Sequence, residues 1–241
     1  MRIAIISDVH ANLEAFKSVL TDIETVGVDK IFCLGDTIGY GPNPEASVTL
    51  LRDRAIPSVI GNHEKAVLDF RFLRGFNPVA RESLQKTIKM LSEDTLRFLG
   101  GLDTSIVAHD CRFVHGFPLD SPMTYLFQVS EAKLRRTFVK MPERCCFVGH
   151  THLLECVEWN GDIAVTSEMT RRTYRLNPDR AYIINVGSVG QPRDGDNNAK
   201  YSIFDTDENS LEVRFVPYDI AAVAEKIIAR GLPKSHALRL W

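Results

Sequence analysis

A short apolar run at the start of the chain constrains the fold more than any other segment. Residues Arg2 to Ile6 are mostly β-branched and apolar, which predicts a central strand buried on both faces. Asn12 then begins a helix with one apolar face, and Gly27 ends it. In open α/β sheets, ligands bind beyond the carboxyl ends of the strands. Asp8 and His10 directly follow the strand, so they are candidates for a binding site.

The next segments repeat the alternation of strand and helix. Strands are predicted at Lys30 to Leu34 and at Pro57 to Ile60, with a helix from Glu45 to about Arg54 between them. This βαβαβ order implies parallel strands with right-handed crossovers. Residues 65–101 contain no strand-like run, and their apolar spacing fits two helices. We interpret this segment as a small helical cap inserted beside the site.

The second half of the chain is rich in predicted strands. They cover residues 104–108, 111–114, 145–148, 154–160, 163–168, 173–176, 181–186, 200–205 and 211–216. Helices are predicted near 130–136 and at 220–230, and a loop containing Asp120 precedes the first of them. Because no linker, repeat or low-complexity segment interrupts the pattern, we predict one domain over residues 1–241.

The composition is that of an ordinary globular protein. The apolar fraction is 44% and the net charge is −2, so no basic field indicates a nucleic acid duplex as partner. No apolar run reaches transmembrane length, and the N-terminus lacks the pattern of a signal peptide. The cysteines are odd in number and irregularly spaced, which favours reduced thiols in a cytoplasmic protein. They are Cys33, Cys111, Cys145, Cys146 and Cys156.

Residues that can bind metal ions end five of the predicted strands. The sequences are Asp8-x-His10, Gly35-Asp36, Gly61-Asn62-His63-Glu64, His115-Gly116 and Gly149-His150-Thr151-His152. A glycine before a ligand permits a sharp turn and a close approach. Each dipeptide alone is common in turns, whereas all of them together at strand ends predict one shared metal site. Carboxylate, imidazole and amide groups without thiolate suit Mn²⁺, Fe or Zn²⁺ rather than a Cys-rich structural zinc site.

The order of these motifs resembles that of the calcineurin-like metallophosphoesterases. The loops GYGPNP at 39–44 and NVGSVGQPR at 185–193 are similar to those of small bacterial and archaeal phosphodiesterases within that superfamily. The resemblance implies an α+β (or α/β) fold, a four-layer αββα sandwich of two mixed β-sheets flanked by helices. It also implies two bound divalent metal ions. Mn²⁺ is the first expectation, and Fe, Zn²⁺ and Ni²⁺ are the other candidates.

The resemblance also assigns roles to individual side chains. One ion would be bound by Asp8, His10, Asp36 and His152, and the other by Asp36, Asn62, His115 and His150. A carboxylate shared in this way can hold two ions about 3.5–4 Å apart, which lowers the pKa of a bridging water. The resulting hydroxide would attack phosphorus in line. His63 would lie off the metals, near the substrate, where it can stabilise the equatorial oxygens or protonate the leaving alkoxide. Asp36 and His63 are therefore the predicted catalytic residues.

The loop at 185–193 is the second functional candidate. Its glycines and Ser188 would expose backbone N–H groups, as in anion-binding loops, and Arg193 would pair with a phosphate group. Together with Asn62 and His63, these residues are the predicted substrate contacts. The predicted partner is a small, nucleotide-like phosphoester, and the protein itself would be a monomer or a homodimer.

Three functions remain open at this point. The leading one is a metal-dependent phosphodiesterase or phosphatase, with a dinucleoside polyphosphate hydrolase as a variant of it. A serine/threonine protein phosphatase is disfavoured. By the same resemblance, those enzymes carry an Asp-Arg-Gly sequence after this turn, whereas Thr37-Ile38-Gly39 follows Asp36 here. The third is a non-catalytic interaction module of the same fold. Such a module predicts loss of ligands or of the histidine after Asn62, and neither is lost here.

Cationic and aromatic side chains outside these motifs have weaker assignments. The cap carries several that either bind a nucleotide or simply pack and remain solvated. They are Phe70, Arg71, Phe72, Arg74, Phe76, Arg81, Lys86 and Lys89. His236 in the C-terminal segment is predicted to be solvated. Glu64 is predicted to orient His63 or to favour the helix dipole.

Overall fold

The strands and helices follow the predicted order, with small shifts at their ends. The computed structural model describes residues 1–119 and 122–241, so Asp120 of the predicted loop lies outside the described residues. The strands are β1 (Arg2–Ile6), β2 (Lys30–Cys33), β3 (Ser105–Ala108), β4 (Cys111–Val114), β5 (Cys145–Val148), β6 (Leu154–Trp159), β7 (Ala164–Glu168), β8 (Thr173–Arg175), β9 (Ala181–Val186), β10 (Ala199–Asp205) and β11 (Ser210–Val216).

Helices flank these strands along the chain. They are α1 (Leu13–Val26), α2 (Pro44–Asp53), α3 (Asn62–Leu68), α4 (Pro78–Ile88), α5 (Glu93–Gly100), α6 (Glu131–Lys140), α7 (Ile220–Ala229) and α8 (Lys234–Leu238). Short 3₁₀ helices lie at Phe72–Gly75 and Leu126–Gln128. None of the described helices combines the length and hydropathy needed to span a membrane.

The described strands form two mixed sheets. The first has the order β2-β1-β10-β11-β8, in which β1 is parallel to β2 and antiparallel to β10. The second has the order β3-β4-β5-β9-β6-β7, with β4, β5 and β9 parallel. These topologies confirm the predicted pair of mixed sheets flanked by helices.

Alternating side chains of the central strands fill two separate layers of the core. Ile3 and Ile5 of β1 pack in one cluster with Phe113 and Phe147 of the other sheet, so the two sheets lie face to face. Ala4 and Ile6, which alternate with them along β1, pack with α1 on the outer face of the first sheet. Burying an isoleucine side chain stabilises the fold by about 1.5–3 kcal/mol. This confirms that β1 is buried on both faces and gives the four-layer order of helix, sheet, sheet and helix.

The segment Pro57 to Ile60 is not a strand, which corrects the prediction. It runs beside β2 and forms one isolated parallel bridge, between Cys33 and Ser58. Pro57 has no N–H to donate, and the N–H of Ile60 bonds the carbonyl of Asp103 instead of β2. The ladder therefore cannot extend in either direction. The segment still leads directly to the start of α3, where the candidate site residues lie.

The segment predicted as a cap is helical, as expected, and no strand is assigned to residues 65–101. Its last helix, α5, begins after Ser92, whose Oγ accepts a hydrogen bond of 3.1 Å from the Thr95 N–H. Leu84 and Leu99 pack in one apolar cluster with Ile38, which follows β2. The cap is thereby attached to the loop that carries Asp36, while its boundaries at 65 and 101 stay a prediction.

The C-terminal segment contains a helix that the sequence pattern did not predict. Helix α8 packs on α7 through an apolar cluster that includes Val223, Ile227 and Leu240. This packing buries His236, whose ring lies 4.8 Å from the ring of Tyr40. The prediction that His236 is solvated is therefore wrong. A five-residue helix shows too little periodicity to be detected from sequence.

Candidate metal centre

The residues predicted as metal ligands come from distant parts of the chain and converge at one end of the two sheets. Asp8 and His10 follow β1, Asp36 follows β2, Asn62 begins α3, His115 follows β4, and His150 and His152 follow β5. All of these side chains are buried. Three groups of potential ligand atoms form among the described residues. The groups are Asp8 with His10 and His152, Asp36 with His115 and His150, and Asp36 with His10 and His63.

The first group has Asp8, His10 and His152 around a common point. The Nε2 atoms of the two histidines are 3.0 Å apart. Asp8 Oδ1 lies 3.2 Å from His152 Nε2 and 3.6 Å from His10 Nε2. The other carboxylate oxygen, Asp8 Oδ2, accepts hydrogen bonds from Ser7 Oγ and the His150 N–H. Asp8 Oδ1 is buried without a hydrogen-bond partner, so it is free to bind a cation.

The second group lies around His115. Its Nε2 is 2.9 Å from Asn62 Oδ1, 3.1 Å from His150 Nδ1 and 3.3 Å from Asp36 Oδ2. The four side chains thus present two oxygens and two nitrogens to one another. This donor set suits a divalent transition metal.

Asp36 belongs to two of the three groups, the one with His115 and His150 and the one with His10 and His63. Its Oδ1 accepts a hydrogen bond of 2.9 Å from the backbone N–H of His63. Its Oδ2 lies 3.3 Å from His115 Nε2 and 3.8 Å from His10 Nε2. The carboxylate is therefore placed between the two groups, as a bridging ligand would be.

Hydrogen bonds to backbone carbonyls orient three of the histidines. The Nδ1 atoms of His10, His115 and His152 lie 3.1, 2.8 and 2.6 Å from the carbonyl oxygens of residues 38, 34 and 191. A carbonyl only accepts, so each Nδ1 carries a proton, and in the neutral tautomer of each ring the Nε2 lone pair points inward. The two lone pairs of His10 and His152 then face each other with no proton to share. A cation between them resolves this arrangement, so the residues present fit a bound metal.

The backbone around these ligands is held in an uncommon conformation. Five of the predicted ligands have positive φ angles between 49° and 68°, namely Asp8, His10, Asp36, His150 and His152. Such left-handed residues cost about 1–3 kcal/mol each and cluster at functional sites. The preceding glycines are required for space. A Cβ on Gly149 would collide with Ser7 and Asp8, and one on Gly61 would collide with Asp36.

Burial and mutual charge shift the titration of the site. Burial alone would raise the pKa of Asp36, but the charges of His115 and His63 hold it far below its usual range. Burial lowers the pKa of His150 to about 3 and that of His152 to about 4. His115 is the exception, because Asp36 outweighs burial and raises its pKa to about 9. An ionised carboxylate beside mostly neutral imidazoles is the protonation state that metal binding requires.

Glu64 has a structural role that the sequence interpretation missed. Its fully buried carboxylate accepts hydrogen bonds of 2.8–3.2 Å from the backbone N–H groups of residues 36, 37, 38 and 61. It thereby ties the loop carrying Asp36 to the start of α3. Burial raises the pKa of Glu64 to about 7, with nearby Asp36 adding to this. The Gly61-x-x-Glu64 spacing is that of a helix N-cap and could have revealed one of these bonds, but not the other three.

His63 lies beside the two groups. Its Nε2 is 3.9 Å from Asp36 Oδ2, and its ring contacts those of Tyr40 and Phe76 at centroid distances of 4.6 and 5.0 Å. Burial lowers its pKa well below the usual value. The neutral ring is thus enclosed by aromatic side chains next to the bridging carboxylate. Its predicted place near the substrate, off the metals, stays a prediction.

The loop at 185–193 contributes one half-buried cation, Arg193, and several buried side chains. The Arg193 guanidinium lies 6.0 Å above the Tyr40 ring and donates to Gln191 Oε1. Ser188 is fully buried, donates to the carbonyl of Asp8 and accepts from the Gln191 N–H. The Ser188 hydroxyl thus links the loop to the backbone of Asp8, and its predicted contact with the substrate stays a prediction. Asn185 similarly donates to the carbonyl of Gly149.

Tyr125 is a second residue near the site that no sequence motif indicated. Its ring stacks on the ring of His150, with centroids 3.8 Å apart and planes 14° apart. Burial raises its pKa, and the charges of Arg193, Asp36 and Asp8 also act on it. The phenol therefore lies beside the charged centre. Tyr125 is far from the ligands along the chain and has no distinctive neighbours, so only the folded structure identifies it.

Comparison with known proteins identifies related chains. Residues 1–209 match the model of the calcineurin-like phosphoesterase superfamily domain. An uncharacterised protein of Methanocaldococcus jannaschii is 38% identical over 99% of this chain and 97% of its own length.

Solved structures of similar proteins extend this result. A metallophosphoesterase from Sphaerobacter thermophilus is 37% identical, with a TM-score of 0.84 over 100% of this chain and 98% of its own. A hypothetical protein from Pyrococcus horikoshii shares the fold at 15% identity, with a TM-score of 0.81 over 100% and 97% of the two chains. The matched domain and the extent of these similarities lead to one conclusion: the chain belongs to the calcineurin-like phosphoesterase superfamily.

Proposed function

We propose that this protein hydrolyses phosphoesters of small, nucleotide-like molecules in a reaction that depends on two divalent metal ions. The observation that carries the proposal is the position of Asp36 Oδ2, between the His115 and His10 nitrogens. A carboxylate in that position suits a pair of ions rather than a single structural one. Membership of a phosphoesterase superfamily supports the same reaction class.

The ligand groups support the metal assignment that the family resemblance implies. Asp8, His10 and His152 would hold one ion, and Asn62, His115 and His150 would hold the other, with Asp36 shared between them. Bound divalent ions would supply Lewis acidity toward the phosphoryl oxygens and a water of lowered pKa. Mn²⁺ is the first candidate, since the oxygen and nitrogen donors include no thiolate.

Two residues outside the ligand groups have proposed roles toward the substrate. His63 is neutral because burial lowers its pKa, so its N–H is available to hydrogen bond a phosphoryl or leaving-group oxygen. The Arg193 guanidinium lies at the same site, over the Tyr40 ring, and would pair with a phosphate oxygen that the metals do not hold. The Arg193 charge favours substrates with an additional anionic group, including dinucleoside polyphosphates.

Two other functions receive less support. The segment after Asp36 has Ile38 packed in an apolar cluster rather than an arginine that binds phosphate, which disfavours a protein phosphatase. A non-catalytic module has no need for orphaned ligand atoms, whereas Asp8 Oδ1 is buried and unpartnered. The intact ligand set therefore supports an enzyme.

The direct test is hydrolysis of bis-p-nitrophenyl phosphate by protein that has been stripped of metal and reloaded with Mn²⁺. We expect turnover that EDTA abolishes and that Mn²⁺ restores, with the metal content measured by mass spectrometry. Replacement of the exposed His109, on the turn between β3 and β4, is a matched control that removes an imidazole outside the site. The absence of turnover with Mn²⁺, Fe²⁺, Zn²⁺ and Ni²⁺ would overturn the proposal.

A further inference from the structure

A stack of three aromatic rings runs from the metal centre to the protein surface. The Tyr125 ring lies on His150 at 3.8 Å, and the Phe127 ring lies 5.0 Å from that of Tyr125, with planes 21° apart. We call Tyr125 and Phe127 the aromatic platform. Its inner end contacts a predicted metal ligand, and its outer end is in solvent.

The platform is held firmly enough to present a fixed surface. It lies at the 3₁₀ helix Leu126–Gln128, where the Gln128 and Val129 N–H groups bond the carbonyls of Tyr125 and Leu126. Leu126 and Val129 pack inward against an apolar cluster of the second sheet. Phe127, which lies between them in sequence, points outward with 65% of its surface exposed. The chain thus anchors two apolar neighbours and leaves an aromatic ring uncovered beside the site.

An uncovered ring in this position has a specific chemical use. Aromatic side chains bind nucleobases and other planar rings by stacking, and this binding depends little on which base or ring is present. A single ligand that carries a phosphate and a planar ring would contact both the metal centre and the platform. The nearby Arg193 charge, which acts on Tyr125, favours the anionic part of the same ligand.

We propose that the aromatic platform binds the planar ring of a phosphoester whose phosphate lies at the metal centre. The inference rests on the proposed function and narrows its substrates to those that carry a nucleobase or an aryl group. The platform would raise the affinity for such substrates without taking part in the hydrolysis step. Phe127 would then be a specificity-determining residue.

Ligands that differ only in the ring test this inference. Phenylphosphonate is compared with methylphosphonate, and the methylene phosphonate analogue of AMP with that of ribose 5-phosphate, by calorimetric titration of Mn²⁺-loaded protein. Their C–P bonds resist hydrolysis, so binding is measured apart from turnover. We expect the ligand with a ring to bind at least about fivefold tighter than its partner. A gain in both pairs assigns the platform to any aryl group, and a gain in the AMP pair alone assigns it to a nucleobase.

Substitutions then test whether the aromatic platform causes the higher affinity for ligands that carry a ring. Phe127→Ala should reduce the ratio within each pair to about one, while the affinity for methylphosphonate stays as in the wild type. Phe70→Ala is the matched control, because Phe70 is 64% exposed on the cap and takes no part in the stack. Tyr125→Phe, which preserves the stack, should retain the preference for a ring.

Several results would overturn the inference. Equal affinities within both pairs in the wild type would overturn it. If such a protein still hydrolyses bis-p-nitrophenyl phosphate, the proposed function holds although the platform does not bind the ring. A preference that survives Phe127→Ala would remove the platform from the ring site. If Phe127→Ala changes the molecular mass measured by light scattering but leaves the affinity ratios within the pairs unchanged, the exposed face of Phe127 is a contact between copies of the chain instead. Failure to bind any phosphonate and to hydrolyse any phosphoester would overturn the proposed function together with the inference.

Discussion

The metal centre and the helical cap at 65–101 both carry many charged and aromatic side chains, yet they use them differently. At the centre, the ligands are buried, and backbone carbonyls orient three of the histidines, as the carbonyl of Leu34 does for His115. On the cap, Arg71 is largely exposed and pairs with Asp69, and Lys86 pairs with Glu82. Arg81 donates to the carbonyls of its own segment.

This difference shows that many charged and aromatic residues in one segment do not by themselves indicate a binding site. Arg71, Arg81 and Lys86 have partners within the cap, so their presence in the sequence indicates little about binding. Phe76 is the described cap residue whose ring contacts the site, at His63. At the centre, by contrast, buried ligand atoms converge on one another, and Asp8 Oδ1 has no hydrogen-bond partner. Unsatisfied, buried and converging groups indicate function better than a local accumulation of charge.

The largest expected effect tests whether one carboxylate serves both ligand groups. Asp36→Ala should deplete metal from both and lower kcat by at least about a thousandfold, since the ions contribute several kcal/mol to the transition state. Metal content by mass spectrometry and turnover of bis-p-nitrophenyl phosphate measure the two effects. Retention of two tightly bound ions would refute the bridging role.

A second substitution separates catalysis from metal binding within the centre. His63→Ala should retain both ions and lower kcat by about 10²–10⁴-fold, as expected for the loss of a positioned hydrogen-bonding imidazole. Metal analysis alongside steady-state kinetics checks this. If the variant loses an ion instead, then His63 is itself a ligand, as its grouping with His10 and Asp36 allows.

The support behind the ligands should appear as stability rather than as catalysis. Glu64→Gln replaces one accepting oxygen with an NH₂ group facing buried N–H donors, which should cost about 2–4 kcal/mol of unfolding free energy. Urea unfolding of the metal-free protein measures this loss.

Glu45→Gln is the matched control for that measurement. Glu45 also accepts a backbone N–H, from Ser92, and two hydroxyls, but it is only partly buried. We expect a loss of about 1 kcal/mol for it. Equal losses for the two variants would argue against a special role for the buried carboxylate.

The smallest effect is expected on the cap. Arg74 is exposed, so Arg74→Ala should change the unfolding free energy by no more than about 0.5 kcal/mol and leave kcat/KM nearly unchanged.

Arg193→Ala is the comparison for Arg74→Ala. It should raise KM in the same assay, because the Arg193 guanidinium lies at the site. A raised KM for the Arg74 variant would show that the cap binds substrate and would remove the contrast between the two regions.

The fold was predictable where the evidence is periodic and local. β1, β5 and β9 are continuous apolar runs, and their predicted bounds match those of the structure. The segment at Pro57 failed because apolar composition does not ensure a hydrogen-bonded ladder. Helix α8 and the burial of His236 depend on contacts with α7 and Tyr40, which lie far along the chain.

By itself, the sequence determined the family, the alternation of strands and helices, and the residues that follow each strand. These follow from periodicity and from motifs a few residues long. Only the tertiary structure decided that Asp36 lies between two groups, that Glu64 secures four N–H groups, and that Tyr125 stacks on His150. Each of these depends on atoms brought together across strands that are distant in the chain. Residue order records which side chains are available, whereas packing of the two sheets sets the distances on which their chemistry depends.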